Sequence, residues 1–273
     1  MVTSIILVSI VGVLAGGIVN VLADDLPHRR NPGRPKYPDG TPRPFLAWIG
    51  ITAFLLGRRA GPDGSKLPWR HPITEIASSV LMIVTIIATD NNPQIGAIQL
   101  LFWLAYMVIF VLVTVIDIEH KLILFVVMIP SAIIALLDAV ITPSEIGPNL
   151  IDSLAGGVVG FGVFFIMFNG GYLFTYVLGK LRGEEITTVA FGFGDVMMAT
   201  LSGLILGWQA LIFAMFITVF LGAFGAIIYL VTRSLAGQKY SMYTALPYGP
   251  YIVIGTFLML LFSTEIRMLL LGY

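Results

Sequence analysis

Apolar residues come in runs of about twenty, and that pattern alone rules out most folds open to a chain of 273 residues. A helix satisfies its own backbone in hydrocarbon, and roughly twenty apolar residues suffice to cross it. Such runs lie near 4–23, 74–90, 97–116, 122–142, 150–178, 195–208, 209–232 and 246–264. They predict an all-α polytopic membrane protein with about eight transmembrane helices. The sixth run is short, and only Gly207-Trp208 divides it from the seventh. Charged residues make up 11% of the chain, against about a quarter in a soluble domain. The surplus apolar surface must therefore face a lipid bilayer. No basic residue precedes the first run and it has no clear small-residue cleavage site, so it reads as a retained span rather than a signal peptide.

The basic residues set an orientation. Nine of the fifteen Lys and Arg (Arg29, Arg30, Arg34, Lys36, Arg43, Arg58, Arg59, Lys66 and Arg70) fall between the first two runs. By the positive-inside rule that stretch is cytoplasmic. Alternation then makes 91–96 and 143–149 external, and neither holds a basic residue. It makes His120, Lys121, Lys180, Arg182, Arg233 and Lys239 cytoplasmic and both termini external. Three parts follow: a first transmembrane helix over 1–23, a cytoplasmic segment over 24–73, and a multi-span domain over 74–273. The segment is rich in Pro and Gly, with one apolar stretch, Phe45 to Leu56, that predicts a short helix at the interface. About fifty residues make a weak core alone, so the segment is expected to pack on the membrane domain. No internal repeat stands out.

Formal net charge is zero, so no global field calls for a nucleic-acid partner. The chain has no cysteine, which excludes disulfides, thiolate metal sites and a Cys nucleophile. His28 and His71 lack a second ligand at metal spacing, so no metal is expected.

Two acids carry the chemistry. Asp195 follows Phe191-Gly192-Phe193-Gly194 at the mouth of an apolar run, and Asp117 ends the run from Leu100 to Ile116. An acid there is costly to desolvate and marks a function, and glycines without Cβ let a backbone approach closely. In the orientation above both acids lie at the cytoplasmic face. Two nearby carboxylates share one proton, so one can activate a water while the other donates to a carbonyl oxygen. Asp138 and Asp152 read instead as interfacial or capping residues, and His120 as a solvated turn residue. Glycines 156, 157, 160 and 162 read as helix contacts.

Five short motifs then resemble one family, the type IV prepilin peptidases, bacterial membrane aspartic proteases of the Gly-x-Gly-Asp kind. Gly16-Gly17-Ile18-Val19-Asn20-Val21 with Leu26-Pro27 is similar to the family's first-span pattern. Arg70-His71-Pro72-Ile73-Thr74-Glu75 resembles the opening of its second span. Asp117-Ile118-Glu119 with Ile129-Pro130, and Gly192 to Asp195 with Gly203 and Gly207, resemble its two catalytic segments. Leu246-Pro247-Tyr248-Gly249-Pro250 resembles the Pro-Phe-Gly-Pro that enters its last span. The resemblance implies cleavage of the basic leader of prepilins or pseudopilins at the cytoplasmic face of the inner membrane, with Asp117 and Asp195 as the catalytic pair. It also implies, for many members, methylation of the new amino terminus with S-adenosylmethionine; the peptidase step itself needs no cofactor.

The chain departs from the family in four places. Two zinc-binding Cys-x-x-Cys pairs are missing, Met197 replaces a Lys, Leu124 replaces a Pro, and Asp25 replaces an Arg. The missing cysteines and Asp25 tilt the expectation slightly towards a peptidase with weak or no methyl transfer. The rival readings are a proton-coupled transporter, which expects deeper acids in two repeated halves, and a catalytically silent scaffold for secretion or pilus assembly.

Overall fold

In lipid two helices gain nothing from hiding apolar surface against each other, so they are held by close van der Waals fit and by polar contacts. A computed structural model describes residues 1–90, 92–142, 147–182, 192–235 and 247–272. Phe191, Lys239, Leu246 and parts of the turns 91–96 and 143–149 lie outside them. Two compact units make up the chain, Met1–Leu124 and Phe125–Tyr273.

In the first unit, α1 (Val2–Asp25) packs along α3 (Arg70–Thr89), and α4 (Ala97–His120) packs on both. The α1–α3 crossing needs glycine. A Cβ on Gly12 would sit 2.5 Å from Ser79 Cα, and one on Gly16 2.5 Å from Glu75 Cα. Pro27 and a left-handed Arg29 (φ 56°) stop α1. On α4 the buried residues Trp103, Tyr106, Met107, Phe110, Val113 and Asp117 follow the helical period. Its last turn is closed by Lys121 in the left-handed conformation, whose N–H donates to the Asp117 carbonyl at 2.9 Å.

Between α1 and α3 the short helix α2 (Gly50–Leu55) covers a small core of Tyr37, Ala47, Ala53 and Leu67. Two matching turns complete this segment, and they are a repeat too short for sequence inspection to have flagged. In Tyr37-Pro38-Asp39-Gly40-Thr41 the Tyr37 N–H donates to Thr41 O, and the Thr41 N–H to Asp39 Oδ1. In Gly61-Pro62-Asp63-Gly64-Ser65 the Gly61 N–H donates to Ser65 O, and the Ser65 N–H to Asp63 Oδ1. Gly40 and Gly64 have φ of 87° and 85°, where glycine is favoured. The Asp39 carboxylate lies against Gly61, where a Cβ would be 2.6 Å from Oδ2. Hydrogen bonds from Thr41 hold its pKa below the usual carboxylate value.

The second unit comprises α5 (Phe125–Ile141), α6 (Leu150–Arg182), α7 (Phe193–Leu235), α8 (Gly249–Leu261) and α9 (Ser263–Leu271). Its main contact joins α6 and α7. A Cβ on Gly156 would lie 2.2 Å from Gly203 O, and one on Gly160 2.3 Å from Ala199 O, while Gly162 faces open space. Ser153 Oγ donates to Leu204 O at 2.6 Å across the same contact. On the other side of α7, Thr256 Oγ1 of α8 donates to Ser202 Oγ at 2.7 Å.

Each apolar run of the sequence is helical, and no named strand occurs among the described residues. The protein is an all-α polytopic membrane protein, and the expected count of eight crossings is not confirmed. Among the described residues five helices pass as full-length spans by length and composition, or six if α8 and α9, bent by 96°, form one span. The 17 residues of α5 stand at the lower end of the length that crosses a bilayer. The sixth and seventh runs are two helices that meet in α7 at a kink at Gly207 (φ 74°, ψ 169°), a conformation nearly confined to glycine. The break falls where the sequence placed its weakest division.

The packing predicts an asymmetry along α6. Gly156→Val or Gly160→Val forces side chain into backbone and should cost about 3 kcal/mol or more. Gly162→Val should be tolerated. Thermal unfolding of the detergent-solubilised variants, read with size-exclusion chromatography, tests this; equal tolerance at 156 and 162 would contradict the packing.

Candidate active site and the polar cluster of the first unit

Asp117 is the last member of the buried stripe on α4, so the period that packs Phe110 and Val113 inward also buries its carboxylate. It is 5% exposed. An apolar stripe that ends in a buried acid is what separates Asp117 from an ordinary interfacial residue.

Asp195 lies in the first turn of α7 and is 9% exposed. Its Oδ2 accepts the Gly192 N–H at 3.0 Å, while its own N–H donates to Gly192 O at 3.1 Å. This reciprocal pair fixes the carboxylate against the backbone of its own motif. An aromatic cluster seats the helix start: Phe193 packs on Phe168 of α6 and on Phe125 of α5, at centroid distances of 5.8 and 6.2 Å. The half-buried Tyr248, ahead of α8, lies within electrostatic reach of Asp195. Its ring rests on Gly222 of α7, where a Cβ would be 2.6 Å from Cε2.

The other acids behave as caps. Asp152 and Asn149 exchange hydrogen bonds, Asn149 Nδ2 to Asp152 Oδ2 at 2.8 Å and the Asp152 N–H to Asn149 Oδ1 at 3.0 Å. Asp138 accepts from the Thr142 hydroxyl one turn on. His120 is not the solvated residue expected. It is half-buried, with its ring edge-on to His28 at 5.5 Å.

A second polar cluster joins α1, α3 and the segment between them, and the sequence reading did not assemble it. Glu75, fully buried on α3, accepts the N–H groups of Gly50 and Ile51 and so binds the first turn of α2. Asn20 of α1 donates to Glu75 Oε1 at 3.3 Å and to His71 O at 3.0 Å. Arg43 donates from Nε to Lys36 O at 2.9 Å, and its Nη2 lies 3.0 Å from His71 Nε2. His71 Nε2 is also 3.3 Å from Asp24 Oδ2. A neutral ring nitrogen cannot accept from Arg43 and donate to Asp24 at once. The shorter contact favours the acceptor role.

Beside this cluster opens a pocket of about 320 Å3, lined by Asp24, Asp25, His28, Arg30, Arg34, Arg70, Glu119 and His120 among others. Arg70 spans it, pairing with Asp24 through Nη2 and with Glu119 Oε1 at 3.0 Å through Nε. Its Nη1 is buried without a partner among the described residues. Asp25 Oδ2 accepts the Gly33 N–H at 3.3 Å and thereby shapes the loop after α1. The residues do not fit a zinc site. Among the described residues no group of three or more His, Asp or Glu could hold a metal ion.

Comparison with known proteins adds a family. Residues 104–227 match the model of the type IV leader peptidase family, a stretch that contains both Asp117 and Asp195. The chain is 26% identical over 225 residues to a prepilin leader peptidase/N-methyltransferase of Stutzerimonas stutzeri, covering 82% of this chain and 67% of that protein. It is 27% identical over 227 residues to the Aeromonas hydrophila protein of the same name, with the same coverage of both. A third relative of that name, from Pseudomonas putida, is 27% identical over 235 residues, 84% of this chain and 71% of its own. No solved structure matches significantly.

Removing the Glu75 carboxylate should free the segment. Glu75→Ala leaves two N–H groups of α2 buried without acceptors, at about 2 kcal/mol each. Limited proteolysis with trypsin should then cut at Arg58 and Arg59 much faster than in the unaltered protein. An unchanged cleavage rate would show that Glu75 does not hold α2.

Proposed function

We propose that the chain is a member of the type IV leader peptidase family and that Asp117 and Asp195 are its catalytic pair, cleaving the basic leader of prepilins or pseudopilins. The observation that carries this reading is the burial of both aspartates at the ends of long apolar helices, each inside the stretch the family model matches. As a pair the two acids share one proton. The ionised carboxylate takes a proton from water, and the protonated one donates to the scissile carbonyl oxygen. The Gly192 N–H orients the Asp195 carboxylate for either role.

The setting is a multi-pass protein of the inner membrane, with segment 24–73 in the cytoplasm and both termini outside. The nine basic residues of 29–70 support that orientation. A substrate helix has its backbone bonded internally in lipid. Cleavage at the cytoplasmic boundary then unwinds less helix than cleavage at mid-span.

A second activity is favoured by the pocket of the first unit. S-adenosylmethionine supplies, when bound, an electrophilic methyl group for the new amino terminus. The pocket residues fit it. Arg70, with Nη1 unpartnered, and Arg34 suit its carboxylate, and Asp24 and Glu119 suit its cationic groups. Asp25 departs from the family's Arg, but its carboxylate is engaged by Gly33. The paired Pro-Asp-Gly turns and Glu75 supply contacts that close the segment in a chain without cysteines.

Asp117→Asn and Asp195→Asn should each abolish leader removal while leaving the protein folded in the membrane, since amide and carboxylate have nearly equal volume. Incubating each purified variant with a prepilin and following the shortened product decides this. Normal processing by either variant would sink the catalytic pair.

The unaltered enzyme should also add one methyl group to the mature amino terminus, and Arg34→Glu, an exposed position on the pocket rim, should lower the methylated fraction without slowing cleavage. Intact-mass spectrometry of the product reads both. No methylation by the unaltered enzyme with cofactor in excess would overturn the second activity.

A further inference from the structure

The stretch around α2 is apolar on two sides, and the buried core explains only one of them. Ala47 and Ala53 turn inward onto Tyr37 and Leu67. Leu55 and Leu56 turn out, at 80% and 54% exposure. Side chains of that size left outward on a soluble surface invite association. Here they adjoin a surface that already belongs to lipid. On α3 the residues Val80, Ile76, Ile73 and Trp69 recur at helical spacing, and all four are exposed. That stripe runs to the first residues of α3 and beyond them to Trp69, whose ring packs on Phe54 of α2 at 4.7 Å. The guanidinium of Arg59 lies over both rings, 4.6 Å from Phe54 and 5.6 Å from Trp69. Arg58 beside it is exposed.

A lipid-facing helix stripe, an aromatic residue at its end, two outward leucines and two arginines follow one another in the order of an interface helix, from acyl chain to headgroup. Arginine stems can lie along the apolar boundary while their charged heads reach phosphate. We propose that the α2 turn is an interfacial anchor that enters a leaflet containing acidic phospholipid. Leu55 and Leu56 sit at the acyl boundary, and Arg58 and Arg59 pair with lipid phosphates. The anchor holds segment 24–73 against the bilayer and does not depend on substrate.

The chain contains no cysteine, so single reporters can be placed in the full-length protein. Leu55→Cys and Asp63→Cys, the latter on the exposed tip of the second turn, are labelled with an environment-sensitive fluorophore. Each is then reconstituted into phosphatidylethanolamine/phosphatidylglycerol vesicles carrying spin-labelled lipid. At 55 the expected result is blue-shifted emission and strong quenching without any substrate, and at 63 neither. Vesicles of phosphatidylcholine alone should lessen the quenching at 55. Arg58→Glu should lessen it only where phosphatidylglycerol is present. Equal quenching at 55 and 63 would overturn the anchor. So would quenching or a blue shift at 55 that arises only when a prepilin transmembrane peptide is added, which would make this face a protein-docking surface. Quenching indifferent to both phosphatidylglycerol and Arg58→Glu would overturn the role of acidic lipid. The readout involves no catalysis, so it stands or falls independently of the aspartate pair.

Discussion

Helices in a bilayer lose the main force that packs soluble proteins, and close backbone approach has to take its place. Both units are built on that constraint. Gly12 and Gly16 bring α1 onto the backbone of α3, and Gly156, Gly160 and Gly203 do the same for α6 and α7. Hydroxyl groups then bond across the contacts so opened, Ser79 to Ser9 O in the first unit and Ser153 to Leu204 O in the second. The polar and charged groups of both units depend on this framework. Asn20 meets Glu75, for instance, only because Gly16 lets the two helices touch one turn away.

The first unit shows how a segment too small for its own core is kept in one conformation. It has one cluster of small side chains and no cysteine. Order comes instead from local and buried hydrogen bonds: two Pro-Asp-Gly turns with the same bonding scheme, and a carboxylate on a transmembrane helix that takes the first N–H groups of α2. Glu75 is buried at the cost of desolvation, and its three donors offset that cost.

Much of this was legible in the sequence, and the limits have physical causes. Runs of apolar residues locate helices because every backbone group in lipid must bond within its own helix, and all eight runs are helical. The count of crossings is less legible, since hydropathy cannot tell a 17-residue helix at the lower limit of a span from a shorter buried one. Gly207 was visible as a weak boundary because a glycine inside an apolar run has few other uses. Asp195 announced itself through its flanking glycines, and Asp117 through its place at the end of an apolar run. The cluster of Asp24, Arg43, Arg70, His71 and Glu119 did not, because its members are 19 or more residues apart except for Arg70 and His71, and each alone reads as a surface charge. The paired turns were hidden differently. Five residues repeated once fall below any period that marks a repeat fold, and only their identical hydrogen bonds reveal the kinship.

That cluster also changes how Asp117 should be read. Two residues beyond it on α4, Glu119 holds one side of Arg70 at 3.0 Å, and the other side of Arg70 is taken by Asp24 at the wall of the pocket. His120, next along, packs on His28 of the same wall. The end of the helix that bears one acid is thus fastened to the pocket by an ion pair and a ring contact. A binding event that drew Arg70 towards a ligand carboxylate would compete with Glu119 for it and would be felt within two residues of Asp117. The converse holds by linkage: whatever moves the end of α4 alters the charge presented to the pocket. Arg70 thus ties the end of α4 to the pocket wall, and the long side chain and several donors of arginine suit it to hold both partners at once.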